Sequence, residues 1–406
     1  MKSALRRDIP NRSLIYRDLS TWRKSAHGKG CLCWHELHLE LSFGLFSLFQ
    51  RPGIPYTRLF DEYLDEIVYA EQLGFDEAWF AEHHFANGAI SPTPNLFTAA
   101  LSQRTSRIRL GNMINVLPLH HPIQLAEQLA VLDHLTHGRL NVGVGKGSRR
   151  VEWQRLGLTP EQVNELFYEA FEIIQGLWTG EPFSYHGKHY HLENIRLRPG
   201  VFQQPHPPLF TAVAHQSSVV WAAQHKLGIA EHYTSTTEAK EHFQLYRQTQ
   251  TALNHSDQPA LHPRLFREIY VAPTDAQARA EAEPALWDHW RFIDDQLCYE
   301  QPYDEEHLLD HPTPITDAMF RQATGNLPIV GPRTSDELAE LGLTIIGSPE
   351  TVAGRLLEQA RALDLETFVG VFAFGRLTHE QVIRSLDLFA HEVMPVLNKE
   401  TARASV

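Results

Sequence analysis

Short apolar runs alternate with amphipathic stretches along the chain from residue 41 onward. Residues 41–47 are rich in Leu and Phe, which is typical of a buried strand. Residues 57–73 then place Leu59, Tyr63 and Ile67 at helical spacing, and Gly74 is a typical helix stop. The pattern predicts further strands at 75–81, 108–117, 139–145, 208–213, 229–233, 265–271 and 367–373. It predicts further helices at 95–104, 122–136, 159–178, 217–227, 237–252 and 378–394.

Eight strand-like runs separated by helices favour parallel pairing with right-handed crossovers. A closed (β/α)₈ barrel, or TIM barrel, accounts for this number of strands better than an open sheet. Residues 183–198 interrupt the alternation as a hairpin. Residues 284–345, rich in Trp and Pro, are predicted to form an insertion before the last strand. We therefore assign 40–400 to the barrel and 1–39 to an N-terminal tail without a catalytic role.

Composition and charge narrow the class of protein. The formal net charge of −13 disfavours a general nucleic-acid binder. No apolar run approaches the roughly 20 residues that span a bilayer, so we expect no membrane partner. The three cysteines offer no disulfide framework, which indicates a reducing compartment and hence a cytoplasmic protein.

Two adjacent histidines directly follow the second predicted strand, in the sequence Glu82-His83-His84-Phe85. In an α/β barrel the catalytic groups lie at this end of the strands. Imidazole exchanges a proton near neutral pH, so both histidines are candidates for acid–base chemistry. The alternative from the residues alone is that one or both pack in the core or cap a helix.

The ends of the fourth and fifth predicted strands carry groups that suit an anion. Gly143-Val-Gly-Lys-Gly147 places Lys146 among glycines, where a phosphate can approach the backbone closely. Ser217 and Ser218 open the next helix, where hydroxyls and the helix dipole both favour a phosphate. Adjacent strand ends are close in space, so the two sets can converge. A plain glycine turn with capping serines is the alternative, since the spacing fits neither G-x-G-x-x-G nor a Walker A loop.

Several short motifs occur in the order found in one protein family. They are the run 75–85, Val116-Leu-Pro-Leu-His-His-Pro122, Leu132-Asp133, Gly138-Arg139, the turn 143–147, Trp221-Ala-Ala223, Ile346-Gly-Ser-Pro-Glu350 and Ser385-Leu-Asp-Leu-Phe-Ala-His-Glu-Val-Met-Pro395. Through these motifs, residues 41–397 resemble the bacterial-luciferase-like flavin monooxygenases. Each motif is weak by itself, and their shared order makes the resemblance specific.

The resemblance implies a barrel that takes reduced FMN from a separate NAD(P)H-flavin reductase. It also implies reaction with dioxygen through a C4a-(hydro)peroxyflavin, on a small and partly apolar organic substrate. His83 then occupies the position of the family's catalytic histidine. Lys146 and Gly147 lie on the phosphate-binding turn, and Ser217 and Ser218 lie at the start of the phosphate-binding helix.

Further assignments follow from the same resemblance. Met113 and Ile114 are implied to form a bulge under the flavin ring, with a cis peptide bond between them. His84 and His121 are assigned to the surroundings of the site, where they contact the substrate or support residues that do. The resemblance also favours a homodimer.

Three features depart from the family's pattern, and one of them is His215-Gln216 after the fifth strand, where the family has an acidic residue and a serine. The family commonly carries an arginine early in the fourth helix, where this chain has Asn164. Lys146 stands where the family usually has another arginine, and lysine keeps the charge but loses the forked donor geometry. Arg149 or Arg150 is therefore a further candidate for contacting the phosphate.

Three other functions are open at this stage. A metal hydrolase is suggested by the 24 histidines, among them His186, His189 and His191 at ligand-like spacing. These three fall in the predicted hairpin rather than at strand ends, so no metal site is assigned. The second alternative is a barrel that binds flavin without turnover, against which His83 argues mildly. The third is a deazaflavin-dependent oxidoreductase on the same fold.

Overall fold

The computed structural model describes residues 41–86, 89–253, 261–293 and 334–404. The predicted tail 1–39 and the middle of the predicted insertion, 294–333, lie outside the described residues. Within the described ranges, no helix is both long enough and apolar enough to cross a membrane.

A closed ring of parallel strands forms the centre of the molecule. In chain order the strands of the described ranges are β1 (Ser42–Ser47), β2 (Glu77–Phe80), β3 (Arg109–Val116), β4 (Leu140–Gly145), β5 (Phe183–His186), β6 (His191–Ile195), β7 (Leu209–Ala212), β8 (Gly228–Glu231), β9 (Arg264–Val271), β10 (Thr344–Gly347) and β11 (Thr367–Val371). The ring runs β1-β2-β3-β4-β7-β8-β9-β11 and returns to β1. It closes where Arg264 lies opposite both Ala230 of β8 and Thr367 of β11. The predicted (β/α)₈ barrel is confirmed, and β5 and β6 form the predicted antiparallel hairpin.

The described ranges contain twelve helices, of which the sequence pattern predicts seven. They are α1 (Tyr56–Leu73), α2 (Pro94–Ser102), α3 (Pro122–Leu135), α4 (Arg150–Arg155), α5 (Pro160–Trp178), α6 (Gln216–Gln224), α7 (Thr236–Ala252), α8 (Asp275–Ile293), α9 (Ser335–Glu340), α10 (Pro349–Leu363), α11 (His379–Leu388) and α12 (Met394–Ala404). Thr159 and Thr378 form capping boxes with Gln162 and Gln381, which fixes where α5 and α11 begin.

Both ends of the predicted insertion are regular structure. α8 continues through Pro284 to residue 293, and β10 pairs in parallel with β9, with Thr344 opposite Glu268. The prediction placed these residues in the insertion because of their Trp and Pro content. In the structure Leu286 and Trp290 are buried, so packing of this face stabilises the helix in spite of the proline.

The prediction that the last helix ends before Pro395 is wrong. α11 continues through a π turn, Phe389–Val393, into α12, whose second residue is Pro395. Pro395 cannot donate a backbone hydrogen bond within this continuous helix, and the π turn directly before it is where the helical hydrogen-bond pattern is irregular. Phe389 and Val393 are buried, so packing holds this continuous arrangement.

Side chains fill the interior of the barrel below the strand ends. Trp79 of β2 and Phe210 of β7 meet edge to face with ring centroids 5.1 Å apart, although two strands separate them in the ring. Phe46 of β1 and Phe266 of β9 make the same kind of contact at 5.1 Å. The interior is therefore a packed core, and open space begins only at the carboxyl ends of the strands.

Candidate active site

A cavity of about 520 Å³ lies at the carboxyl ends of the strands. This volume is typical of small-molecule sites, which range over roughly 300–1,000 Å³. Seven of the residues predicted from the sequence line it together: His83, Met113, Ile114, Lys146, Gly147, Ser217 and Ser218. Two patterns lie far apart in the sequence, the histidine pair and the anion-suited strand ends, and His83 of the pair shares one cavity with residues of those strand ends.

His83 is held in place by a buried carboxylate. Its backbone N–H donates to the carbonyl of Ser91 at 3.1 Å, which fixes the chain just after β2. Its ring Nδ1 lies 3.0 Å from Oε1 of Glu152, a buried residue of α4. Burial works to raise the pKa of Glu152, but the neighbouring His83 and Arg149 lower it below its ordinary value. An ionised Glu152 accepts the Nδ1 proton, so neutral His83 has Nε2 as its acceptor.

The neighbouring Glu82 ties three segments together under the site. Its carboxylate lies 3.0 Å from Nε2 of His84 and 2.8 Å from Nε2 of His120, and it accepts the backbone N–H of Val116 at 3.0 Å. Burial works to raise the pKa of Glu82, but the hydrogen bonds from His120, His84 and Val116 lower it to about 2. Glu82 is therefore a structural anion that joins the end of β2 to the end of β3.

Replacing Glu82 by glutamine is expected to lower the free energy of unfolding at pH 7 by roughly 3 kcal/mol. This value follows because the pKa of Glu82 falls from 4.5 to about 2 on folding. The depressed pKa means that this stabilisation is complete above pH 4.5 and is lost as the pH falls towards 2. Urea denaturation of both proteins over this pH range measures the difference. The exposed Glu358→Gln variant is the control. If wild type and Glu82→Gln differ in free energy of unfolding by the same amount at low pH as at pH 7, Glu82 is not a stabilising anion.

Met113 and Ile114 form a bulge on β3. The peptide bond between them is cis, and the pairing with β4 shifts register between Asn112 and Asn115. The glycines of β4 make room for this bulge, because a Cβ on Gly143 would lie 2.2 Å from the carbonyl oxygen of Asn112. The sequence predicted that these glycines let a ligand approach the backbone. In the structure the lack of a side chain at Gly143 lets β3 approach β4 closely.

Lys146 lies at the rim of the cavity on an aromatic surface. Its Nζ donates to the hydroxyl of Tyr168 at 3.3 Å and lies 4.6 Å from the centre of that ring. The Nζ also lies 5.3 Å from the ring centre of Phe167. These contacts hold the ammonium group beside the cavity while leaving it partly exposed to solvent.

The first turn of α6 faces Lys146 across the same rim. Ser218 donates its hydroxyl to the carbonyl of His215 at 2.6 Å and accepts the His215 N–H at 3.3 Å. Ser217 is exposed and lines the cavity together with Arg149. The ammonium group of Lys146, the hydroxyl of Ser217 and a helix N-terminus form a donor set that suits a phosphate.

His84 and His121 do not line the cavity. His84 binds Glu82, and this hydrogen bond raises its pKa, against the opposing effect of burial. His121 precedes α3 and packs against Tyr190, with ring centroids 5.6 Å apart. Arg150, the other arginine considered for the phosphate, begins α4 on the exposed surface.

Two of the three hairpin histidines contact carboxylates. His189 lies 2.8 Å from a carboxylate oxygen of Glu165, and His186 lies 3.3 Å from one of Glu193. Across the described ranges, no group of three or more His, Cys, Asp or Glu residues is arranged to hold a metal ion.

Sequence reasoning missed Glu152, His232 and Tyr233, all of which line the cavity. Glu152 gives no local signal, because it lies on a helix of six residues. His232 follows β8 directly, as His83 follows the end of β2. The prediction ran the strand on to residue 233 and so placed His232 inside it, where the strand-end rule does not apply.

One cavity at the carboxyl ends of the barrel strands contains a histidine–glutamate pair and a set of groups that suits a phosphate. A site in this place is typical of TIM-barrel enzymes. The chain belongs to the luciferase-like monooxygenase family, whose model matches residues 41–366. Uncharacterized protein y4wF of Sinorhizobium fredii is 31% identical over 349 residues, which cover 83% of this chain and 92% of that protein. The oxygenase component of flavin-dependent trigonelline monooxygenase from Acinetobacter baylyi is 26% identical, covering 88% of this chain and 96% of that protein.

Solved structures share the fold. The oxygenating constituent of 3,6-diketocamphane monooxygenase from Pseudomonas putida, in complex with FMN, has a TM-score of 0.71 at 20% identity and covers 88% of this chain and 98% of its own. A secondary alcohol dehydrogenase that depends on coenzyme F420 has a TM-score of 0.63 at 17% identity, covering 88% and 99%. Proteins of this fold therefore include users of FMN and users of F420.

Proposed function

We propose that this protein is the oxygenase of a two-component system that uses reduced FMN and dioxygen to oxygenate a small organic substrate. The observation that carries the proposal is the shared cavity, which combines a glutamate-held histidine with a donor set for phosphate and the β3 bulge. The reduced FMN would come from an NAD(P)H-flavin reductase. The printed name of the Acinetobacter relative, an oxygenase component, supports a separate partner of this kind.

The residues of the cavity fit FMN. Lys146 would neutralise the phosphate, Ser217 would donate its hydroxyl to it, and the α6 dipole would add to the attraction. Ser218 would support this turn, because its hydroxyl proton is donated to the carbonyl of His215. The bulge at Met113 and Ile114 lies on β3, between the strand that carries His83 and the strand that carries Lys146. Met113, Ile114 and His83 would therefore be the residues beside the flavin ring when Lys146 holds the phosphate.

Reduced flavin supplies the electrons that activate dioxygen, and the protein manages the protons. His83 with Nδ1 bound to Glu152 presents Nε2 as a proton acceptor, and Glu152 stabilises the imidazolium that forms when Nε2 takes a proton. The same pair can return that proton to a leaving oxygen. Apolar walls, including Leu48, Val116 and Phe266, limit the water that reaches these groups.

Anaerobic titration of the purified protein with chemically reduced FMN tests the proposal. We expect saturable binding with one site per chain, weaker binding of reduced riboflavin because it lacks the phosphate, and no tighter binding of reduced F420. Equilibrium ultrafiltration measures all three without turnover. Preferential binding of F420 would assign the protein to the deazaflavin-dependent oxidoreductases, and failure to bind any flavin would contradict the proposal altogether.

A further inference from the structure

A second histidine of the cavity is backed by a buried cluster that the proposed chemistry does not use. His232 follows β8 and lines the cavity, and its Nε2 lies 2.8 Å from Oε1 of Glu268 on β9. The same carboxylate oxygen lies 3.0 Å from Nε2 of His289 on α8. Glu268 and His289 are both completely buried. The order along this chain of contacts, from the cavity inward, is therefore His232, Glu268, His289.

Hydrogen-bond geometry fixes where the protons of this cluster reside. Gly375 donates its backbone N–H to Oε1 of Gln50 at 2.8 Å, so that atom is the amide oxygen and an acceptor. Nδ1 of His289 lies 3.0 Å from the same oxygen and must carry a proton. Nε2 of His289 faces the carboxylate of Glu268, which also requires a proton between them. One excess proton is thus held between His289 and Glu268.

The contact with Glu268 decides which nitrogen of His232 carries a proton. Burial works to raise the pKa of Glu268, but the two histidines hold it well below its ordinary value, so Glu268 is a carboxylate that accepts from both imidazoles. Burial lowers the pKa of His232 in spite of the attraction of Glu268, which favours the neutral imidazole. His232 therefore donates Nε2–H to Glu268 and keeps Nδ1 as a hydrogen-bond acceptor.

The position of His232 in the ring separates it from the groups assigned to FMN. Those groups follow β2, β3, β4 and β7, which are consecutive in the ring. β8 stands four places from β2 among the eight strands, so His232 and His83 enter the cavity from opposite sides. The other half of the ring is β8, β9, β11 and β1, and the cavity residues that it supplies, which come from β8, β9 and β1, are thus left for the substrate.

Aromatic rings surround His232 in that half. Tyr233, held in the left-handed region at φ 59°, stacks on the imidazole with ring centroids 3.6 Å apart. Phe46 and Phe266, which also line the cavity, lie 5.8 Å and 6.0 Å from the imidazole centre. A planar aromatic molecule packs well against such rings, and an O–H group on it would satisfy Nδ1.

We propose that the substrate is an aromatic compound with a phenolic hydroxyl, and that His232 binds this hydroxyl as a hydrogen-bond acceptor. The inference rests on the proposed function, because it assigns to FMN the opposite half of the cavity. Transfer of the phenolic proton towards His232 enriches the ring in electrons and prepares a ring carbon for oxygen. The balanced reaction is phenol plus dioxygen plus reduced FMN giving dihydroxybenzene, water and oxidised FMN. One C–H bond is replaced by C–OH, and the two electrons of the reduced flavin reduce the second oxygen atom to water.

Isothermal titration of the full-length protein with 4-ethylphenol and 4-ethylanisole tests this assignment. The two probes share the ring and the ethyl group and differ only in O–H against O–CH₃, and the phenol is un-ionised at pH 7, as tyrosine is. We expect the phenol to bind about tenfold more tightly, because the ether leaves the acceptor of His232 unpaired. Equal affinities, or no measurable binding of the phenol, would overturn the proposal.

Matched variants identify the acceptor. His232→Phe keeps an aromatic ring and is expected to remove the preference for the phenol, whereas His83→Phe is expected to retain it. If only His83→Phe loses the preference, the hydroxyl binds to His83 rather than to His232, and the proposal is overturned. FMN affinity is measured on the same samples. Retained FMN binding shows that a variant is folded, and absent FMN binding by the wild type would refute the proposed function separately from the phenol preference.

Discussion

Replacing His83 by alanine is expected to lower product formation by a factor of about 10²–10⁴, the usual contribution of a positioned acid–base group. The affinity for FMN should change little, because the residues proposed to contact the phosphate follow other strands. The rate falls because alanine removes the Nε2 acceptor that Glu152 holds in place. Steady-state assays with a flavin reductase, NADH, FMN and a substrate found by screening measure the rate, and equilibrium ultrafiltration measures FMN affinity.

Glu152→Gln is the companion variant for this prediction. Glutamine keeps the size of the side chain but no longer stabilises an imidazolium at His83, so we expect a smaller loss of rate and an altered pH profile. A purely structural role for Glu152 would change the stability and leave the pH profile in place. Unchanged product yield in His83→Ala would rule out the role of His83.

Replacing Lys146 by alanine is expected to weaken FMN binding by about 10- to 100-fold, the contribution of a hydrogen bond between charged groups. Riboflavin lacks the phosphate, so its affinity should hardly change. Fluorescence titration of wild type and variant with each flavin gives the ratio of the affinities for FMN and riboflavin directly. The contact to Tyr168 positions the ammonium group, so Tyr168→Phe, which keeps the ring, should have a smaller effect of the same kind.

Lys146→Arg is the control, since it keeps the positive charge and should retain most of the preference for FMN over riboflavin. Equal losses of both flavins in Lys146→Ala would show that Lys146 does not hold the phosphate. The phosphate would then be met elsewhere, and Arg149, which also lines the cavity, would be the next residue to replace.

The barrel could be predicted because each of its eight strands is a short apolar run bounded by turn or helix signals. β10 was missed because Thr344–Gly347 is only four residues long and adjoins a stretch rich in proline. It is held as a strand by pairing with β9, at a separation of 76 residues between Thr344 and Glu268. Long-range pairing of this kind leaves no local pattern.

The candidate site was predictable to the extent that its residues lie directly at strand ends. His83, Lys146 and Ser217 all follow this rule. Their partners do not, because Glu152 is 69 residues from His83 and reaches it only through packing of α4. His232 obeys the strand-end rule, and a correct end for β8 at residue 231 would have revealed it.

Stopped-flow mixing of the protein–reduced FMN complex with oxygenated buffer tests the central claim most directly. The account predicts that an absorbing species, distinct from reduced and oxidised flavin, precedes the appearance of oxidised FMN and outlasts the reoxidation of free FMN. It also predicts that this species is shorter-lived in His83→Ala. Reoxidation as prompt as that of free flavin, with immediate release of one hydrogen peroxide per flavin, would contradict the assignment of oxygenase function.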